Sequence, residues 1–298
     1  MMQIRRVLAA TDLSAPARHA AARALRLARE HGAQLTIMHV AARAALEALR
    51  AMVGARTAPV EEKVLNELRA ELELLAATLA RGAGEAPEVH LATGSVPDEV
   101  AACANALDAG LIVLGARGAS FMRHLVLGST AERMLRKAAR PMLVVKQTPF
   151  EAYHRVLVPV DFSPWSLPVL RLARVVAPRA ELVLLHAYEV PFEGKLRFAG
   201  VEDKTVEQYR QAARDEATRH LTRLAADAGL ERAYARLNTC HGAAASCIIQ
   251  QEEEQDCDLI VMGKHGRGLV EELLLGSVTK RVLAESSADV LVCAEPGR

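Results

Sequence analysis

Two stretches of this chain combine residue types that could hold phosphate. Gly115-Ala-Arg-Gly118 is followed, after nine residues, by Gly128-Ser129-Thr130; Gly263-Lys-His265-Gly266 is followed, at the same spacing, by Gly276-Ser277-Val278. Each pattern follows an apolar run, Leu111–Leu114 or Leu259–Met262, and opens into a helical sequence. Glycine lets the backbone approach an anion closely, and a helix start offers unpaired N–H groups. A carboxylate closes another apolar run in each half, Asp12 after Val7–Ala10 and Asp161 after Val156–Val160. A carboxylate for ribose hydroxyls or a base edge, with a glycine loop for phosphates, suits a nucleotide. One such loop alone is often only a tight strand-to-helix turn, and Asp12 and Asp161 could be helix-start residues beside Ser14 and Ser163. Two copies in register favour the ligand reading.

The elements that must position these residues also occur twice, at an offset of about 148 residues. Ile37-Met-His39-Val40 matches Leu184-Leu-His186-Ala187, Gly94 matches Gly242, and Pro141–Val145 matches Ala288–Val292. So long a period means duplicated domains rather than a solenoid. In the first half, strands are expected at Ile4–Ala10, Leu35–Val40, Glu88–Leu91, Leu111–Leu114 and Met142–Val145. Helices are expected from Ser14 as N-cap to Gly32, at Pro59–Ala80 with Leu65, Leu68, Leu72, Leu75 and Leu79 on one face, at Pro97–Leu107, and at Gly128–Ala138. The second half repeats the order with a longer connection around Pro191–Gly200. Strands alternating with helices imply a parallel, doubly wound sheet, which binds ligands beyond the carboxyl ends of its strands where the strand order reverses.

Composition narrows the function classes. The chain is 51% apolar but only 3% aromatic, so its cores are aliphatic, as suits helices on a parallel sheet. A net charge of +1, from 37 basic and 36 acidic residues, argues for neither a nucleic-acid groove nor an anionic membrane surface. No apolar run approaches the roughly 20 residues of a bilayer span, and Asp12 interrupts the N-terminus too early for a signal peptide. Five scattered cysteines form no disulfide framework, and a cytoplasmic protein with reduced thiols is expected.

Both halves resemble universal stress protein domains, whose ATP-binding members carry G-x2-G-x9-G-[ST] between the fourth strand and the last helix. Both copies match in full. Val156-Leu-Val-Pro-Val-Asp-Phe-Ser163 is also the family's typical opening, Thr11-Asp-Leu-Ser14 is a looser version, and Gly276–Leu283 is close to the usual last helix. The resemblance implies two tandem Rossmann-like domains of the adenine nucleotide alpha hydrolase type, at 1–147 and 153–296. Each would be a five-stranded parallel sheet in the order 3-2-1-4-5 with helices on both faces. It implies ATP as ligand. Asp12 and Asp161 would meet adenine or ribose, and the backbone at Val40 and Ala187 would lie beside adenine. Gly115, Gly118, Gly128, Ser129 and Thr130 would hold ribose and phosphates in one half, and Gly263, His265, Gly266, Gly276, Ser277 and Val278 in the other. Arg117 takes the slot of His265. The first loop carries Arg123 and His124 where the second carries Glu271 and Glu272, acidic residues that oppose a triphosphate unless they turn to solvent or reach it through Mg2+. The second half is the fuller match at the strand end. Related single domains associate through their last strands, here Met142–Val145 and Val290–Cys293, implying an internal pseudo-dimer and leaving a homodimer of the whole chain open.

An ATP-binding regulatory protein read by a protein partner is the leading expectation. No Gly-x4-Gly-Lys-[Ser/Thr] loop and no Ser-Gly-Gly-x-Asp-Ser loop supports dedicated turnover, though slow hydrolysis stays open. A nucleotide-free scaffold is the third class. His39 and His186 read as structural imidazoles near the sheet edge. Cys240-His241 with Cys247 could suggest a metal, but the first half has Thr93 and Glu99 at the places of His241 and Cys247, and no Cys-x2-Cys pair supports zinc. No metal ligand is expected.

Overall fold

Aliphatic runs and capped helices alternate through each half in the order the periodicity implies. A computed structural model describes residues 3–53, 57–81, 86–117, 127–137, 139–230, 235–266 and 275–293. The first half runs β1 (Arg6–Ala10), α1 (Ala15–His31), β2 (Gln34–Ala42), α2 (Arg43–Val53), α3 (Thr57–Ala80), β3 (Glu88–Gly94), α4 (Val96–Ala106), β4 (Leu111–Gly115), α5 (Ser129–Lys137) and β5 (Met142–Val145). The second runs β6 (Arg155–Pro159), α6 (Ser166–Val176), β7 (Glu181–Tyr188), α7 (Glu193–Phe198), α8 (Asp203–Asp227), β8 (Ala235–His241), α9 (Ala244–Glu254), β9 (Leu259–Gly263), α10 (Ser277–Glu285) and β10 (Asp289–Cys293). The boundary between the two compact units falls between Ala152 and Tyr153.

Each half is α/β with parallel strand pairing. The order is β3-β2-β1-β4-β5 in the first half and β8-β7-β6-β9-β10 in the second, the doubly wound 3-2-1-4-5 arrangement. Successive strand residues point to opposite faces. Four consecutive residues are buried in each of β4, β5, β9 and β10, so both faces of each sheet must be covered. In the first half α1 packs with α3, and α4 packs with α5. The core is almost wholly aliphatic, with Leu8, Ile37, Leu111 and Leu143 at its centre in one half and Leu157, Leu170, Leu184 and Leu291 in the other.

Helix α1 shows how local chemistry sets the boundaries. Ser14 is its N-cap and accepts from the Ala17 N–H at 3.4 Å, and Pro16 sits in the first turn where its missing N–H costs nothing. Gly32 ends the helix at φ 61°, a left-handed conformation that glycine adopts without strain. In α3, Leu72, Leu75 and Ala76 are buried. Two helices were not anticipated. Helix α2 follows β2 without a break and packs on α3, and α7 occupies the long connection expected around Pro191–Gly200. None of the described helices is long and apolar enough to cross a membrane.

A buried carboxylate anchors the far end of α10. Glu252 in α9 is only 4% exposed, and its Oε1 accepts from Ser287 N–H (2.8 Å), Ser287 Oγ (2.7 Å) and Ala288 N–H (2.6 Å), holding the turn between α10 and β10. Its Oε2 is buried without a hydrogen-bond partner among the described residues, so the clamp carries a desolvation cost on one oxygen. Replacing Glu252 with Ala leaves two backbone N–H groups unpaired. The expected loss is about 1–3 kcal/mol, read as a lower urea midpoint in the fluorescence of Trp165, the one tryptophan of the chain and a residue of this half.

Candidate nucleotide site

The first strand of each half lies between the second and the fourth, so the chain leaves it toward opposite sides. That is the switch point of a doubly wound sheet. A cavity opens there at the carboxyl ends of the strands in both halves. The second-half cavity, about 310 Å³, is lined by Asp161, Ala187, Gly263, His265, Gly266, Gly276, Ser277 and Val278, the eight residues singled out there from sequence. The first-half cavity, about 250 Å³, is lined by Asp12, Val40, Gly115, Gly128, Ser129 and Thr130. Gly118 lies outside the described residues, as do Arg123, His124, Glu271 and Glu272.

One backbone bond in each half brings the helix start back to the strand end. The Gly276 N–H donates to the Lys264 carbonyl at 3.1 Å, and the Gly128 N–H to the Ala116 carbonyl at 3.0 Å. A Cβ on Gly276 would stand 3.3 Å from that carbonyl oxygen and one on Gly128 3.5 Å from its counterpart, so the approach is tighter in the second half. Gly276 is the N-cap of α10 and has no side chain of its own to cap it, and its carbonyl accepts from Lys280 N–H at 2.9 Å. The N–H groups of Ser277, Val278 and Thr279 therefore precede the helix's first internal donor and point past its end, where a helix dipole favours an anion.

The carboxylates are held by turns of the same design. Asp161 Oδ1 accepts from Ser163 N–H (3.0 Å) and Ser166 Oγ (3.2 Å), and Asp12 Oδ1 accepts from Ser14 N–H at 3.1 Å and from the Ser14 hydroxyl. This side-chain turn sets the next residue in the left-handed region, Phe162 at φ 58° and Leu13 at φ 66°. For residues other than glycine that conformation costs roughly 1–2 kcal/mol, which the paired hydrogen bonds offset. The helix-start role is thus real for Oδ1, while each Asp also lines its cavity. Asp161 Oδ2 lies 3.2 Å from where a Gly266 Cβ would stand, so the missing side chain admits the carboxylate to the loop.

His39 and His186 share one task. Nδ1 of His39 lies 2.8 Å from the Thr11 carbonyl, and Nδ1 of His186 lies 2.8 Å from that of Val160. A carbonyl only accepts, so Nδ1 carries the proton, and each imidazole ties the second strand's end to the residue before the aspartate. The His186 ring also stacks against Phe162 at 4.2 Å. Among the described residues no group of three or more His, Cys, Asp or Glu is placed to hold a metal ion.

The sequence profile of the universal stress protein family matches residues 3–146 and, again, residues 152–294. The chain belongs to the universal stress protein family. A universal stress protein of Mycolicibacterium smegmatis is 28% identical over 301 residues, covering 96% of each chain. One from Synechocystis is 31% identical over 236 residues, 76% of this chain and 72% of that relative. A solved universal stress protein from Archaeoglobus fulgidus has the same fold, with a TM-score of 0.70 over 98% of this chain and 97% of its own at 23% identity.

Within this universal stress protein the halves are not equivalent. Thr279, buried in the first turn of α10, donates its hydroxyl to the Gly263 carbonyl at 3.0 Å and so ties the helix start to the end of β9. Ala131 stands in the matching position of α5 and cannot make that bond. Helix α5 carries Glu132 in its first turn, a negative charge near the helix start although paired with Arg136 at 2.6 Å, whereas α10 has no acidic residue there. His265 is 9% exposed, and Arg117, in the same slot, is exposed. Sequence reasoning missed Thr279 and Trp165, both of which line the second cavity. A lone tryptophan in a chain this poor in aromatics was a signal. Ser163 does not cap a helix as Ser14 does: α6 begins at Ser166 with Trp165 as N-cap, and the Ser163 hydroxyl is buried with no partner among the described residues. Thr279→Ala should cost the second half about 1 kcal/mol, read as a lower urea midpoint at Trp165, while Thr279→Ser should retain most of it.

Proposed function

We propose that this universal stress protein binds adenine nucleotide, ATP in particular, and that the second half is the better-built site. The observation that carries the reading is the convergence, in one cavity, of a helix start with glycine at its N-cap, a turn-held aspartate and the end of the second strand. The phosphates would lie against the N–H groups of Ser277, Val278 and Thr279, with Gly263, His265 and Gly266 beside the ribose. Asp161 would accept from the ribose hydroxyls, and the Ala187 backbone would border the base. The first half would use Asp12, Val40, Gly115, Gly118, Gly128, Ser129 and Thr130 in the same roles, more weakly because of Glu132. At about 310 Å³, the second cavity falls at the lower end of the roughly 300–1,000 Å³ usual for small-molecule sites. A nucleoside would fill a cavity of that size and leave its phosphates at the helix start.

The role that follows is regulatory. Nucleotide would bias the glycine loops toward one arrangement, and a protein partner would read that surface, which requires only different affinity for the two arrangements. Five free cysteines support a reducing, cytoplasmic setting. The lone tryptophan supplies the test, because Trp165 lines the second cavity alone. Titration with ATP should change its emission saturably. Gly276→Asp places a carboxylate at the helix start and should weaken that response tenfold or more, a loss of about 1.4 kcal/mol or greater. Gly128→Asp should leave it unchanged. No saturable response, together with no ATP uptake in equilibrium dialysis, would reduce the chain to a nucleotide-free scaffold.

A further inference from the structure

In the second half, β8 and α9 bring two of the five cysteines together. Cys240 is the penultimate residue of β8, in register with Ala187, and Cys247 lies in the first turn of α9. The Cys247 sulfur reaches over the turn two residues beyond Cys240, near enough for each thiol to feel the other's charge. Between them in sequence, Gly242 sits at φ 135°, and a Cβ there would stand 3.7 Å from Cys247 Sγ. The strand-to-helix turn thus folds with backbone alone beneath the sulfur. The first half is built otherwise: Ala92 and Glu99 take the matching positions, and the Glu99 side chain packs over Gly94.

Access to the two thiols is divided. Cys240 is partly exposed, and Cys247 is 3% exposed. Burial, reinforced by the neighbouring Cys240, pushes the Cys247 thiol up to about 12, so it stays protonated and is no target for an oxidant by itself. The same wall belongs to the cavity, since Ala187 beside Cys240, and Ala244 and Ile248 around Cys247, line it.

We propose that Cys240 and Cys247 form an oxidisable dithiol, closed to a disulfide by a hydroperoxide, and that its closure reshapes the second cavity through α9. The Cys240 thiolate attacks the peroxide oxygen. An S–O bond forms, the O–O bond breaks, and the departing alkoxide takes a proton to leave as an alcohol, or as water from hydrogen peroxide. The Cys247 sulfur then attacks the Cys240 sulfur. The S–S bond forms as the S–O bond breaks, and the hydroxide leaves as water with the proton of the Cys247 thiol. Two thiols lose two electrons and one peroxide gains them, and exchange with a reducing thiol reverses the change. A disulfide holds its sulfurs at about 2.05 Å, well inside thiol contact, so the end of β8 and the first turn of α9 must draw together. The consequence for nucleotide rests on the function proposed above, but the dithiol itself does not.

The full-length reduced protein, treated with stoichiometric hydrogen peroxide and then alkylated, tests this. Free thiols should fall from five to three per chain. Tandem mass spectrometry should place a two-hydrogen loss on Cys240 and Cys247, and dithiothreitol should restore both. Trp165 emission should shift with closure in the wild type and not in Cys240→Ser, a change at a partly exposed position that keeps the fold, nor in Cys247→Ser. Cys240 advancing to sulfinic or sulfonic acid while Cys247 remains open to alkylation after unfolding would overturn the dithiol. Closure with Trp165 emission unmoved would overturn its action on the cavity. Both readouts are taken without nucleotide, so a failure of the nucleotide reading leaves this test intact.

Discussion

The hydrogen bond from the Gly276 N–H to the Lys264 carbonyl, with its twin from Gly128 to Ala116, is the constraint on which each cavity depends. It closes the loop that leaves the fourth strand and sets the next helix down with its N-terminus beside that strand's end. Without it the helix's free N–H groups would face solvent at an arbitrary distance from Asp161 or Asp12. Glycine is needed because a Cβ at Gly276 would press on the carbonyl that accepts the bond. The sheet contributes the rest: β6 between β7 and β9 opens the crevice that the loop then borders.

Duplication lets one half serve as a control for the other. Both retain the glycine closure, the aspartate turn with its left-handed neighbour, and the imidazole bridge from the second strand to the first. What differs lies around the helix start. Thr279 adds a second tie between α10 and β9 that Ala131 cannot supply, and Glu132 puts negative charge at the start of α5. These two differences favour the second half as the anion site, against the acidic Glu271 and Glu272 of its loop, where the first half has Arg123 and His124. The pair of thiols is likewise confined to that half. The chain thus keeps two copies of one architecture but concentrates its polar specialisation in the second.

Much of this was legible in the residues. Glycine spacing and the strand-end aspartates work through backbone geometry, which leaves a direct trace in sequence, and the eight second-half positions indicated by them together with the family resemblance line one cavity. Helix α1 could be bounded because Ser14 and Gly32 act locally as cap and stop. Other features depend on tertiary contact and leave no such trace. The Thr279 bond spans sixteen residues to Gly263, and Glu252 reaches a turn more than thirty residues away. Helix α2 follows β2 with no cap or glycine to mark its start, so the strand's apolar pattern runs straight into it. Ser163 matches Ser14 in sequence, yet α6 begins only at Ser166, a difference that the local residues do not mark.

Nucleotide stoichiometry tests the central claim most directly. The purified protein, stripped by denaturation, should release up to one adenine nucleotide per chain as isolated, held by the second half, and at least one after saturation with ATP. A first-half site would raise the yield toward two. No adenine nucleotide released under either condition would contradict the account, leaving two well-formed cavities that hold no nucleotide.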